Sequence, residues 1–199
     1  MDKYPKLDSL RKTGAETFHL DGSPFPIDLL SFWQWSASDL VGNAMRGILA
    51  EYIVASAVDE VKGHRTEWDA YDIKTSDGIK VEVKSAAYIQ SWSQKKLSAI
   101  QFDIRQTQGW EAETNAYSSQ MIRQSDVYVF CILHHQDQDT IDPLNLAQWA
   151  FYVIATPMLD QAVGAQKTIS LSRLHQLNPT CITYCDLGTA IRRATQAIT

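Results

Sequence analysis

The chain has 199 residues, 45% of them hydrophobic, with 18 Lys and Arg against 23 Asp and Glu and a formal net charge of −5. That length and apolar content suffice for one sizeable core, while the acidic balance argues against strong nonspecific nucleic-acid binding, which depends on basic side chains neutralising phosphates, without excluding a nuclease with a local basic patch or a bound Mg²⁺. No apolar run reaches membrane length, no signal-peptide apolar region follows Met1-Asp2-Lys3-Tyr4-Pro5, and three cysteines fit no paired framework, so a soluble cytoplasmic chain is expected.

Residues 1–35 read as an arm rather than a domain, with residues 36–199 as the body. Asp21-Gly22-Ser23-Pro24-Phe25-Pro26 is loop chemistry, and Phe32-Trp33-Gln34-Trp35 is expected to pack the arm onto the body. A helix is expected from about Ser38 to Glu60, capped by Ser36 or Ser38, with Ser36 and Asp39 approximating a capping box. Leu40, Val41, Ala44, Met45, Ile48, Leu49, Tyr52 and Ile53 give that helix a broad apolar face. Glu51 lies along the Ala44–Ile48–Ala55 side and therefore faces the core, where a carboxylate needs a partner. Arg46 is one candidate partner, and a lysine-bearing or metal-bearing strand beneath the helix is the other. Gly47 lowers helix stability relative to alanine, which a close approach of another backbone would explain.

The most informative segment follows. Tyr71-Asp72-Ile73-Lys74-Thr75 and Ile79-Lys80-Val81-Glu82-Val83-Lys84-Ser85 both alternate with period two, and Ser76-Asp77-Gly78 between them is turn chemistry. A three-residue loop pairs Thr75 with Ile79, Ile73 with Val81, Tyr71 with Val83 and Asp72 with Glu82. One face is then apolar (Tyr71, Ile73, Ile79, Val81, Val83), and the other carries two carboxylates side by side with Lys84. A two-residue turn would shift the register by one and mix the faces. Like charges facing each other destabilise a sheet unless something compensates. Paired carboxylates with open space in front suit a hard divalent cation such as Mg²⁺. A solvated Glu-x-Lys sheet face is the alternative meaning of the same residues.

Beyond the hairpin, Trp92-Ser93-Gln94-Lys95-Lys96-Leu97 is the best local basic patch. Lys95 and Lys96 are candidate phosphate contacts there and Trp92 a candidate base-stacking group, with an exposed loop tip as the alternative. Arg65 and His64 are weaker candidates of the same kind. Ser98 to Ile104 reads as a third strand, and the polar stretch from Trp110 to Gln124 as a segment with a short helix ending near Met121-Ile122-Arg123. Asp126 to Leu133 is a buried strand that includes Cys131, and His134 to Asp139 a solvated loop rather than a metal cluster. Trp149 to Thr156 is a strand stopped by Pro157, Thr168 to Leu171 is short and ambiguous, and Asp186 to Ile198 is an amphipathic helix. Cys181 and Cys185 lack the further ligands of a zinc site.

Three features in order resemble the PD-(D/E)xK nuclease superfamily. They are the helix with Arg46-Gly47-Ile48-Leu49-Ala50-Glu51, a strand with Asp72, and the Val81-Glu82-Val83-Lys84-Ser85 strand. The resemblance covers roughly residues 38–133 and departs in lacking a proline before Asp72; Asp69 is a rival for the aspartate role, although Asp72 has the better register. It implies an α/β, restriction-endonuclease-like fold, a mixed central sheet flanked by the upstream helix on one face and the C-terminal helix nearby. It also implies Mg²⁺-dependent phosphodiester hydrolysis of DNA, with Mn²⁺ able to substitute. Asp72, Glu82 and the Val83 carbonyl would hold the metal, Lys84 would assist the attacking water or the phosphate, and Glu51 would complete the site beside Lys84. A homodimer is left open. The rival from a different class is a non-catalytic nucleic-acid-binding or assembly module that keeps the fold.

Overall fold

The apolar run that begins at Val127 organises the molecule. In the computed structural model, which describes residues 4, 7, 9–66, 69–111 and 116–196, the first elements are β1 (Thr17–Leu20), β2 (Ser23–Asp28), helix α1 (Leu29–Ala37) and helix α2 (Asn43–Ala57). Next come β3 (Ile73–Lys74), β4 (Lys80–Ala87), β5 (Gln101–Asp103), β6 (Thr107–Glu111), β7 (Ala116–Ile122), β8 (Val127–Leu133) and β9 (Trp149–Ala155). Helix α3 (Thr156–Val163), β10 (Thr168–Ser170), α4 (Leu171–Gln176), β11 (Thr180–Ile182) and α5 (Tyr184–Gln196) follow.

The central sheet has five strands in the order β11-β9-β8-β4-β3. β4 and β8 are parallel and the other neighbours antiparallel, which makes this the mixed α/β sheet expected. All seven residues of β8 are buried, so its sequence is apolar on both faces rather than alternating. One face packs Val81, Val83, Val129 and Phe151 against Ala50, Ile53 and Val54 of α2 and Leu187 and Ile191 of α5. The other packs Phe130, Ile132 and Ile154 against Phe102, Ile104, Leu159 and Leu174, contributed by the β5–β10 side and by α3 and α4. In β4 the even residues belong to this second face. Its core takes in Ala86, whereas Glu82 and Lys84 lie beyond it, at the end of the strand that the core leaves uncovered.

Several expectations are corrected. Ser38 does not start the second helix but ends the first; Asp28 caps α1 by accepting from the Ser31 amide at 2.8 Å, and α2 begins at Asn43 behind a turn in which Asp39 accepts from the Gly42 amide at 2.9 Å. The segment around Ser23–Pro26 is mostly strand, because the outer side of a two-stranded hairpin needs no N–H from proline. Trp35 is 84% and Phe32 45% exposed, so the aromatic residues of α1 do not anchor the arm. Arg11 does, donating to the Val61 and Lys62 carbonyls at 2.6 and 3.1 Å. The stretch ending at Ile122 is strand β7, not a helix; residues 112–115 of that stretch lie outside the described residues. Strand β5 pairs with β10 instead of joining the central sheet. Pro157 ends β9 but sits in the first turn of α3, where a missing N–H does no harm. Among the described residues no helix is long and apolar enough to cross a membrane.

The close approach expected at Gly47 occurs elsewhere. A Cβ on Gly47 meets nothing within 4 Å, whereas one on Gly188 of α5 would lie 2.2 Å from the Ala57 carbonyl oxygen at the end of α2. Gly188→Ala should therefore cost about 1–3 kcal/mol of overpacking, offset in part by about 1 kcal/mol of helix propensity. Gly47→Ala should show the propensity gain alone. Denaturant titration of both variants is expected to move the midpoints in opposite directions.

Candidate active site

The hairpin that carries the charged residues forms as its turn chemistry dictates. Gly78 has φ +90°, the Gly78 amide donates to the Thr75 carbonyl at 2.8 Å, and the Thr75 amide donates to the Ile79 carbonyl at 2.9 Å. Ile73 then faces Val81, the register of a three-residue loop. The ladder stops there, because β3 is only two residues long, so the expected pairing of Asp72 with Glu82 and of Tyr71 with Val83 is not formed. A longer edge strand would have offered Val83 a backbone carbonyl; instead Asp72 Oδ2 accepts from the Val83 amide at 2.7 Å. In an extended strand a residue's N–H and C=O point the same way, so the Val83 carbonyl shares the side on which Asp72 lies.

A cavity of about 500 Å³ opens on this edge, and its wall includes Asp72, Glu82, Lys84, Asp103, Arg105 and Tyr128. Lys84 Nζ donates to Glu82 Oε1 at 2.6 Å, and Ser125 Oγ donates weakly to Glu82 Oε2 at 3.3 Å. Burial pushes the Asp72 carboxyl up to about 7, with the negative charges of Glu82 and Glu51 adding to the rise and the Val83 amide and Lys84 opposing it. Carboxyls raised in this way by burial and like charges cluster at functional sites. Asp72 Oδ1 has no hydrogen-bond partner among the described residues, and Glu82 Oε2 has only the weak one from Ser125. Two hard oxygen donors with room for water and phosphate match what Mg²⁺ takes from a protein. No group of three or more His, Cys, Asp or Glu placed to hold a metal occurs among the described residues, so a metal here would rely on these two carboxylates, the Val83 carbonyl and non-protein oxygens.

The other candidates are placed as follows. Glu51 is not on the Glu82–Lys84 face: α2 covers the opposite face of β4, against Val81 and Val83. Its carboxylate forms a two-pronged pair with Arg65, Nη2 to Oε1 at 3.1 Å and Nε to Oε2 at 2.5 Å, which corrects the expected contact with Lys84. Arg65 is thereby a partner of Glu51 beside the site. Arg46 is buried and bonds to the Val41 carbonyl, Gln90 Oε1 and Asn43 Oδ1, not to Glu51. Asp69 lines the same cavity as Asp72 but accepts from Thr66 Oγ1 at 3.0 Å. Trp92, Lys95 and Lys96 are exposed in the loop beyond the far end of β4 and take no part in the cavity wall. Tyr71 also leaves the apolar face: it lines the cavity, with Lys80 Nζ 5.6 Å from its ring centroid.

Tyr128 and the Asp103–Arg105 pair join the site without any motif to mark them. Tyr128 sits beside Glu82 in the parallel ladder, and burial together with the Glu82 charge pushes its phenol well above the ordinary range. The only advance signal is one hydroxyl in an otherwise apolar seven-residue strand. Asp103 accepts from Arg105 Nε at 3.0 Å; burial raises its carboxyl, but the Arg105 hydrogen bonds and charge, with Lys84 nearby, hold it below the usual range.

The comparison with known families bears on the same stretch of chain. The family model described as bacteriophage T4 endonuclease IV matches residues 29–173, which include Glu51, Asp72, Glu82 and Lys84. No curated protein matches the chain significantly. With well over half of its length matched, from α1 into α4, the chain belongs to the bacteriophage T4 endonuclease IV family, a family of nucleases.

Proposed function

We propose that this protein is a Mg²⁺-dependent DNA endonuclease whose site is of the PD-(D/E)xK type. The observation that carries the reading is the convergence of Asp72, Glu82 and Lys84 on one cavity, with Asp72 just before the edge strand of the hairpin whose other strand carries Glu82 and Lys84. Membership of an endonuclease family supports it.

In this reading Asp72 and Glu82, with the Val83 carbonyl, hold Mg²⁺ or Mn²⁺. The bound ion lowers the pKa of a water and offsets charge on the phosphate. Asp72 is held in place by the Val83 amide, which donates to one of its oxygens. Lys84 donates to Glu82 in the resting site, and its ammonium has further N–H groups for a phosphate oxygen or the attacking water. Glu51 acts at a distance: its charge raises the Asp72 carboxyl, and Arg65 fixes its position.

Purified protein incubated with supercoiled, linear and single-stranded DNA tests the proposal. Cleavage is expected with Mg²⁺ or Mn²⁺ and none with chelator. Cleavage that persists in chelator would overturn the metal-dependent mechanism, and its absence across all DNA forms and both metals would favour a binding module.

A further inference from the structure

Residues 17–37, which make up β1, β2 and α1, are folded but bury almost nothing. The hairpin register, with His19 opposite Pro24 and Leu20 opposite Ser23, sorts the side chains of β1 and β2 by face. Phe18 and Leu20 share one face with Phe25 and Ile27, while Thr17, His19, Pro24 and Pro26 take the other. Such alternation belongs to a strand pair with one side packed on a core, yet all four of these apolar residues are exposed. In α1 likewise Phe32, Trp33 and Trp35 are exposed, and no residue of the helix is buried. The unit is nevertheless well defined. The Leu29 and Leu30 amides donate to the Glu16 and Gly14 carbonyls at 2.9 Å, and Asp28 caps the helix. A two-stranded hairpin is marginal by itself in water, and apolar surface this extensive marks a site of association.

We propose that this arm is a dimerisation element, its apolar hairpin face and helix α1 covered by those of a second copy of the chain. Area supports the assignment. An aromatic side chain offers about 150–250 Å² when fully uncovered. Five of them at 38–84% exposure, with Leu20, Ile27 and Leu30, therefore present on the order of 800 Å² per copy, which is what each partner gives to a standard stable interface. Charge selects the kind of partner. Residues 17–37 contain no Lys or Arg, and Asp21 and Asp28 are acidic. A nucleic-acid strand stacked on these rings would find no cation for its phosphates. Helices that lie on lipid surfaces carry a basic polar face, which α1 lacks. The hairpin face holds Ser23 but no charged residue, so it complements its own copy, and a two-fold contact covers it on both chains at once. Side chains rather than backbone make this contact, because Pro24 and Pro26 deprive β2 of N–H groups that strand addition needs.

Sedimentation equilibrium of the full chain, without DNA or metal, tests the proposal independently of the endonuclease reading. Wild type should appear at twice the 22.4 kDa chain mass at micromolar concentration and above. Phe25→Asp and Trp35→Asp should each raise the dimer dissociation constant on the order of thirtyfold or more, as aromatic anchors of an interface do. Leu144→Asp, an exposed apolar position outside the arm, should leave it unchanged. Both arm positions are exposed in the single chain, so circular dichroism should match wild type; if Phe25→Asp loses structure, Trp35→Asp, the more exposed, decides. A wild type that is monomeric throughout would overturn the proposal, as would a dimer that both arm variants retain. A monomer that binds phosphatidylcholine vesicles through Phe25 and Trp35 would overturn it in favour of a lipid surface.

Discussion

Asp72→Asn is expected to abolish metal binding and cleavage together, whereas Lys84→Ala should keep the metal and lose cleavage. The asparagine oxygen can still accept from the Val83 amide, now 2.7 Å from Asp72 Oδ2, so the hairpin is preserved while the charge is lost. Lys84 is different. Its ammonium sits 2.6 Å from Glu82, and removing it frees a carboxylate oxygen, so the metal should bind as well or better. What disappears is a preorganised donor for developing negative charge, whose removal lowers rates on the order of a hundredfold or more. Calorimetric titration with Mn²⁺ and single-turnover cleavage of a defined duplex read the two effects separately. A Lys84→Ala protein that cuts at the wild-type rate would rule out the role assigned to the lysine. Undiminished metal affinity in Asp72→Asn would remove the aspartate from the site.

The second large effect is in stability against pH. Burial and the neighbouring carboxylates push Asp72 up to about 7 in the folded protein, whereas the unfolded chain releases that proton near 4. Between those values the folded state binds more protons, so the metal-free protein should lose stability as pH rises through about 7 and regain it on acidification toward 4. A rise of this size corresponds to roughly 4 kcal/mol at full burial, and water in the cavity should reduce it to about 2 kcal/mol. Asp72→Asn should flatten this dependence and raise the metal-free melting temperature at pH 8 by about 4–8 °C. Added Mg²⁺ should stabilise wild type most above pH 7, where the carboxylate is already ionised. A wild-type profile that Asp72→Asn leaves unchanged would show that Asp72 does not carry this strain.

The residues of the hairpin are legible in the sequence because their information is local. Alternation in both arms and Asp77-Gly78 between them determine register without reference to anything distant, and the unbroken apolar run at Val127–Leu133 likewise declares a buried strand. Non-local pairing is not legible. The periodicity of α2 shows that Glu51 faces the sheet but not which face of β4 lies beneath it, and that face carries valines rather than Glu82 and Lys84. Tyr128 enters the site only because β4 and β8 pair in parallel across about forty residues of intervening chain. Proline misleads at Pro24 and Pro26, which a two-stranded hairpin tolerates, whereas Pro157 ends β9 as expected. Strands β6 and β7 are obscured because neither sequence alternates apolar with polar residues.

On β4, packing and chemistry occupy alternate residues of one eight-residue strand, with Val81 and Val83 turned toward the helices and Glu82 and Lys84 toward the cavity. Inserting or deleting a single residue there would rotate every later side chain to the opposite face, bringing charges into the core and valines into the cavity. Evolution can therefore alter this strand by exchange in place but not by change of length. Length variation is left to the loops beyond Ala87. Change of length is thereby kept to the margins, while the charged residues and the core stay locked to each other.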